Sequence, residues 1–230
     1  MKGILLIHGF SGKRADLKQL YRHFKKRGYK VALPRLAGHE KGEQALADVS
    51  YSDWLKSAEK AFLKLDKHCS DITVIGYSMG GLIAVNLYQK YRFSRLVTIN
   101  TPVFCWDHKK VAMGMHENFR AFIRWYAEAL KHKPVKALLE FEKLKHNTLA
   151  LIRCVKCDTL ILQAVDDKIV NVKSADYLLK HMRGNRKMVK LKAGGHGVVI
   201  TSHCRQVILQ IDQFLAHGVA PKRRMGMKTV

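Results

Sequence analysis

The sequence predicts an α/β protein built on a mostly parallel sheet with helices on both faces. Three observations predict it. Short apolar, often β-branched runs alternate with amphipathic helical patterns along most of the chain, an alternation that calls for crossover helices over a parallel sheet. The 230 residues are 47% hydrophobic, enough to bury a substantial core and suited to a single domain. Between residues 101 and 157 the strand rhythm lapses, which marks a helical insertion after the strand at 95–100, sitting above the sheet.

The elements follow in order. Ile4 to Ile7 is a short buried strand. Asp16 to Arg27 carries Leu17, Leu20, Tyr21 and Phe24 at helical spacing and stops at Gly28. Lys30 to Leu33 is the next strand, followed by the polar loop Gly38 to Glu43. A second amphipathic helix runs from Ser52, its expected N-cap, to His68. The β-branched run Ile72 to Ile75 precedes an apolar helix from Met79 to about Tyr91, and Arg95 to Ile99 forms another strand. Within the insertion, Met115, Phe119, Phe122, Ile123, Tyr126 and Leu130 trace one helical stripe, and Pro134 opens a second helix at a favoured first-turn position. The strand rhythm resumes at Thr159 to Gln163. A helix from Val172 to Met182, a strand from Met188 to Lys192 and a helix from about Ser202 to Ala216 complete the fold, and a basic tail follows.

Composition narrows the function classes. The apolar content excludes overall disorder, although 42 Lys and Arg against 18 Asp and Glu leave a formal charge of +24. No apolar run approaches the roughly 18 residues a membrane span needs. The opening Met1 to Phe10 is too short for an export-signal core and lacks a small-residue cleavage site, so the expected location is the cytoplasm. Five cysteines form an odd set, read as plain buried thiols. Cys154 and Cys157 make a CxxC without a second ligand pair at zinc spacing, and no metal site is expected. The basic residues are scattered rather than striped and accompany no nucleic-acid motif. They read either as a solvated surface or as a source of salt-dependent attraction to anionic membranes or nucleic acid, with no obligate partner evident.

The most informative segment is Gly76-Tyr77-Ser78-Met79-Gly80-Gly81, which fits G-x-S-x-G between a buried strand and an apolar helix. So abrupt a turn strains the serine backbone, and side chains at 76 and 80 would collide with neighbouring elements. It lifts the Ser78 hydroxyl clear of the sheet edge and aims the Met79 amide at whatever that oxygen attacks. A serine hydroxyl needs a base, and the base an orienting carboxylate. Both follow later strands in the order this architecture demands. His196 lies in Ala193-Gly194-Gly195-His196-Gly197, where flanking glycines let it lean over the sheet edge. The acid falls in Asp166-Asp167-Lys168-Ile169-Val170. The D-x-x-V spacing favours Asp167, leaving Asp166 as a solvated turn residue or a partner to a nearby amide. His8-Gly9-Phe10 closes the first strand with a turn whose Phe10 amide is the candidate second oxyanion donor, and His8 itself braces the turn.

Together these segments resemble the α/β-hydrolase superfamily and, more narrowly, its small carboxylesterases related to monoacylglycerol lipases. The resemblance also takes in Gly38-His39, Asp53-Trp54 and Gln163-Ala164-Val165-Asp166-Asp167, and so covers nearly the whole chain. It implies the α/β-hydrolase fold with a small helical cap, a triad of Ser78, Asp167 and His196, and an oxyanion hole from the Phe10 and Met79 amides. It implies a short- or medium-chain carboxylic ester or a monoacylglycerol as substrate, with no cofactor. The stripe of Phe119, Phe122 and Ile123 either packs on the sheet or, with Phe10, lines an acyl slot. The strong positive charge and the missing antiparallel strands of larger hydrolases set this chain apart and leave substrate choice open. A thioesterase or acyltransferase would use the same machinery. A reading of another class is a non-catalytic basic binding module on the same scaffold.

Overall fold

A computed structural model describes residues 1–39, 43–104 and 134–219. Within them, six strands form one parallel sheet in the order β2-β1-β3-β4-β5-β6. The elements are β1 (Lys2–Ile7), α1 (Lys18–Lys26), β2 (Lys30–Ala32), α2 (Tyr51–Asp66), β3 (Asp71–Tyr77), α3 (Met79–Lys90), β4 (Arg95–Ile99), α4 (Val135–Leu151), β5 (Asp158–Ala164), α5 (Lys173–His181), β6 (Arg186–Leu191) and α6 (Cys204–His217). No helix among the described residues is long and apolar enough to cross a membrane.

Alternation along the strands builds two cores. In β1, Leu5 and Ile7 face a cluster with Trp54, Ala58 and Phe62 of α2 and Leu82, Ile83 and Val85 of α3. Ile4 and Leu6 face the opposite cluster, with Leu20 and Phe24 of α1 and Val207, Ile211 and Phe214 of α6. With both faces covered, the inner strands need continuous apolar runs, which is why these segments read as unbroken hydrophobic stretches in the sequence.

Some boundaries differ from the sequence expectation. Helix α2 begins at Tyr51, with Ser50 and not Ser52 as its N-cap. The Asp53 carboxylate decides this, accepting from the Ser50 amide at 3.0 Å and the Ser50 hydroxyl at 2.7 Å. Strand β6 starts two residues earlier than its apolar core, because Arg186 and Lys187 already pair with Thr159 and Leu160. The second half of the expected insertion, α4, packs against α2 and α3. Thr148 accepts from Asn86 at 2.7 Å, the Tyr51 amide donates to Glu140 at 3.0 Å, and Ala137 and Leu144 are buried in the larger core. The stripe containing Phe119, Phe122 and Ile123 lies outside the described residues.

The strand order fixes where a site can form. From β1 the chain steps outward to β2, then returns to place β3 on the other side of β1. The reversal opens a crevice beyond the carboxyl ends of β1 and β3, the place where parallel α/β sheets bind ligands. Those two ends carry His8-Gly9-Phe10 and Ser78.

Candidate active site

Ser78 sits between β3 and α3 with φ 52° and ψ −123°, a conformation that costs about 1–3 kcal/mol in a non-glycine residue and persists only under surrounding constraint. The constraint is visible. Its amide donates to the Ile99 carbonyl at 2.8 Å, and its own carbonyl accepts from the Gly81 amide at 2.9 Å. Helix α3 presses so closely on β1 that a methyl group at Gly80 would lie 2.1 Å from the Ile7 carbonyl oxygen.

The three side chains singled out from the sequence meet here. His196 Nε2 lies 3.1 Å from Ser78 Oγ, and His196 Nδ1 lies 2.8 Å from Asp167 Oδ2. The second oxygen of Asp167 accepts from the amides of Ile169 and Val170 at 2.8 and 2.9 Å, and its side chain is fully buried. A carboxylate only accepts, so Nδ1 carries the imidazole proton and the Nε2 lone pair faces the serine hydroxyl. Val170, three positions after Asp167, is buried and anchors that loop.

The turn after β1 abuts the serine. Gly9 approaches so closely that an added methyl would stand 3.0 Å from Ser78 Cβ. The turn is closed by the Gly12 amide donating to the Gly9 carbonyl at 3.0 Å, with Ser11 at φ 53°. His8 Nδ1 is 3.0 Å from the Gly9 carbonyl, so this histidine braces the turn. The Met79 amide, in the first turn of α3, belongs to the group of helix amides that lack an intrahelical acceptor. Phe10, the expected second donor, follows Gly9 in the turn that abuts Ser78.

The Phe10 ring points into an aromatic cluster. It stacks on Phe141 of α4 at 5.2 Å between centroids and meets Trp54 edge-on at 5.8 Å. His39 completes the cluster, 5.1 Å from the His8 ring. Its Nδ1 donates to the Ala37 carbonyl at 2.9 Å, while its Nε2 is buried with no hydrogen-bond partner. Burial, with some help from His8, lowers its pKa to about 4 even though the Ala37 carbonyl favours the charged form.

Further residues support this arrangement. Asp166 takes one of the two roles left open for it. Its carboxylate accepts from the amides of Gly194 and Gly195 at 3.1 and 2.9 Å. Burial alone would raise its pKa, but these amides outweigh burial and hold the carboxyl below its ordinary range. The Tyr77 hydroxyl donates to the His196 carbonyl at 2.8 Å, and its pKa is raised by burial and by the nearby Asp167 charge. Asn100 and Phe141 also reach this neighbourhood, and neither belongs to a local motif. Among the described residues no three His, Cys, Asp or Glu side chains are grouped to hold a metal ion. The Cys157 thiol is pushed up to about 12 by burial and is a poor ligand as it stands.

A sheet of this topology carrying a serine on a strained strand–helix turn, with an imidazole and a carboxylate in line behind it, defines a hydrolase of the α/β type. The comparison with known proteins agrees: the profile of the alpha/beta hydrolase family matches residues 4–208, and the chain belongs to that family. It is similar to the thermostable monoacylglycerol lipase of Bacillus sp. (strain H-257), 28% identical over 93% of this chain and 90% of that protein. It is also similar to the carboxylesterase of Bacillus subtilis (strain 168), 26% identical over 93% of this chain and 92% of the relative. Among solved structures, one described under LipS and LipT, two metagenome-derived lipolytic enzymes, superposes with a TM-score of 0.80 at 22% identity, covering 94% of this chain and 93% of the other.

Proposed function

We propose that this chain is a serine hydrolase of carboxylic esters working through an acyl-enzyme. The observation that carries the reading is the unbroken hydrogen-bond line from Ser78 Oγ through His196 to Asp167, at 3.1 and 2.8 Å. Ser78 Oγ attacks the ester carbonyl carbon as His196 Nε2 takes the hydroxyl proton. Asp167 stabilises the imidazolium, and the Phe10 and Met79 amides hold the oxygen that gains negative charge. Collapse breaks the ester C–O bond, and His196 protonates the departing alkoxide to give the alcohol. Water then attacks the acyl group while His196 removes its proton, and Ser78 regains its own proton as the acid leaves.

The named relatives, a monoacylglycerol lipase and a carboxylesterase, support carboxylic esters or monoacylglycerols as the substrate class, within which the proposed substrates carry short or medium acyl chains. The partly buried rings of Phe10 and Phe141 support this, since Phe10 follows Gly9 in the turn that abuts Ser78. A panel of p-nitrophenyl esters of graded chain length tests the reading. Ser78→Ala and His196→Ala should each lower turnover by about three orders of magnitude or more while leaving the thermal melt intact. Undiminished hydrolysis by folded Ser78→Ala protein would overturn it. Adding alcohols or thiols to the assay and measuring product partition separates hydrolysis from acyl transfer.

A further inference from the structure

The loop that carries His196 has little to hold it in place. Three of the five residues from Ala193 to Gly197 are glycine, with φ of 122° at Gly194 and 56° at Gly195, and added methyl groups at Gly195 or Gly197 would meet nothing within 4 Å. Glycine lets the histidine lean over the sheet edge, and the same freedom leaves the loop with high conformational entropy. Its position is set from outside.

Side chains from other segments do this by acting on the loop backbone: Gln206 donates to the Ala193 carbonyl at 3.3 Å, and three more act on Gly194 to His196. Asn100 Nδ2 donates to the carbonyls of Gly195 and His196 at 3.0 and 3.1 Å, while Asn100 Oδ1 accepts from the Ala164 amide at 2.9 Å. Tyr77 donates to the same His196 carbonyl, and Asp166 grips the Gly194 and Gly195 amides. Asn100 is the joint of this arrangement. It is fully buried and sits at φ 48°, a region where asparagine is among the few residues tolerated beside glycine. A carboxamide buried this deeply is costly unless bonded, and this one is bonded at both ends. Ala164, which it holds, ends β5 three residues before Asp167, and Ile99, the residue before Asn100, accepts from the Ser78 amide. The end of β4 therefore touches the segments bearing serine, acid and base.

We propose that Asn100, with Tyr77 and Asp166, forms a set of positioning residues that fixes the His196 backbone so that its imidazole spans Ser78 and Asp167 before substrate arrives. The proposal rests on the ester-hydrolase reading, which gives that alignment its purpose. Misplacing a catalytic group by about 1 Å costs on the order of a hundredfold in rate, so the effect is measurable.

Two Asn100 variants isolate the carboxamide. Asn100→Gly tolerates φ 48° and removes the side chain. Asn100→Asp keeps size and the acceptor for Ala164 but turns an oxygen toward two carbonyls. The readouts are kcat and KM on p-nitrophenyl butyrate, the thermal melt, and the downfield proton resonance of His196 Nδ1–H in the free protein. Expected in each folded variant are a fall in kcat of about ten- to a hundredfold, KM within about twofold, and a broadened or lost downfield resonance. A folded variant with kcat within about twofold of wild type and the resonance intact would overturn the proposal. So would a loss of stability alone with the resonance unmoved. Should neither Asn100 variant fold, the double variant Tyr77→Phe with Asp166→Ala decides on the same readouts and the same limits. If wild-type protein itself leaves the ester intact, the ester-hydrolase reading fails, while the resonance still reports whether the loop is held.

Discussion

Adjacent carboxylates at 166 and 167 have opposite duties because of where their oxygens point. Asp167 is fully buried against the imidazole, whereas Asp166 is spent on two glycine amides. Asp167→Asn should therefore lower ester turnover by about four orders of magnitude, through loss of the tautomer that presents Nε2 to the serine, and Asp166→Asn by far less. Steady-state rates of the two variants decide this, and a larger loss at Asp166 would reverse the assignment. His39 governs a different quantity. Its pKa of about 4 in the folded protein lies below the ordinary value near 6.5, so the unfolded chain takes up a proton that the folded one refuses. Its contribution is fully present above pH 6.5 and is lost as pH falls toward 4, by about 3 kcal/mol in all. Urea unfolding at pH 7 and pH 4.5 checks the sign, and the drop should be smaller in His39→Gln. An equal drop in both proteins would remove His39 as its source.

Between β3 and α3 the backbone tolerates no added atom. A Gly80→Ala methyl would drive into the Ile7 carbonyl at 2.1 Å, where its nearest neighbours are the backbone of Ile7 and His8 and not a flexible side chain that could yield. That substitution should abolish soluble expression or lower the unfolding free energy by about 3 kcal/mol or more, measured by denaturant titration. A folded variant of near wild-type stability would mean that α3 can shift away from β1. The same turn explains what the sequence disclosed. Ser78, Asp167 and His196 each belong to a short motif whose spacing is set by its own strand end, so local pattern alone singles them out as candidates. Asn100 and Tyr77 were not legible, because their partners lie 96 and 119 residues away and nothing near either residue announces the contact. The cap of α2 failed for a smaller reason. Ser50, Ser52 and Asp53 compete within four positions, and only the carboxylate contacts show that Ser50 wins. Phe141 gives no signal in the sequence, because a lone aromatic on a helix is ordinarily core and its stacking on Phe10 depends on how α4 packs.

Across the whole molecule, charge and topology set the remaining behaviour. A formal charge of +24 on 230 residues is self-repelling. On α2 the exposed Lys56, Lys60 and Lys64 stand at four-residue spacing, a like-charge arrangement that costs a few tenths of a kcal/mol per pair. Raising sodium chloride from about 10 mM to about 0.5 M should therefore raise the melting temperature, since the screening length contracts several-fold over that range. An uncharged osmolyte of equal osmolality serves as the control, and a flat salt response would show that the repulsion is already offset. The strand order has a consequence for synthesis. From β4 onward each new strand docks on the margin left by its predecessor, so the sheet can lengthen in the direction in which the ribosome delivers it. Ser78 and the turn at Phe10 have their sheet neighbours once residue 99 has emerged, but the His196 imidazole arrives almost a hundred residues later. On the proposed mechanism, a growing polypeptide of this kind stays chemically quiet until its final strand has been laid down.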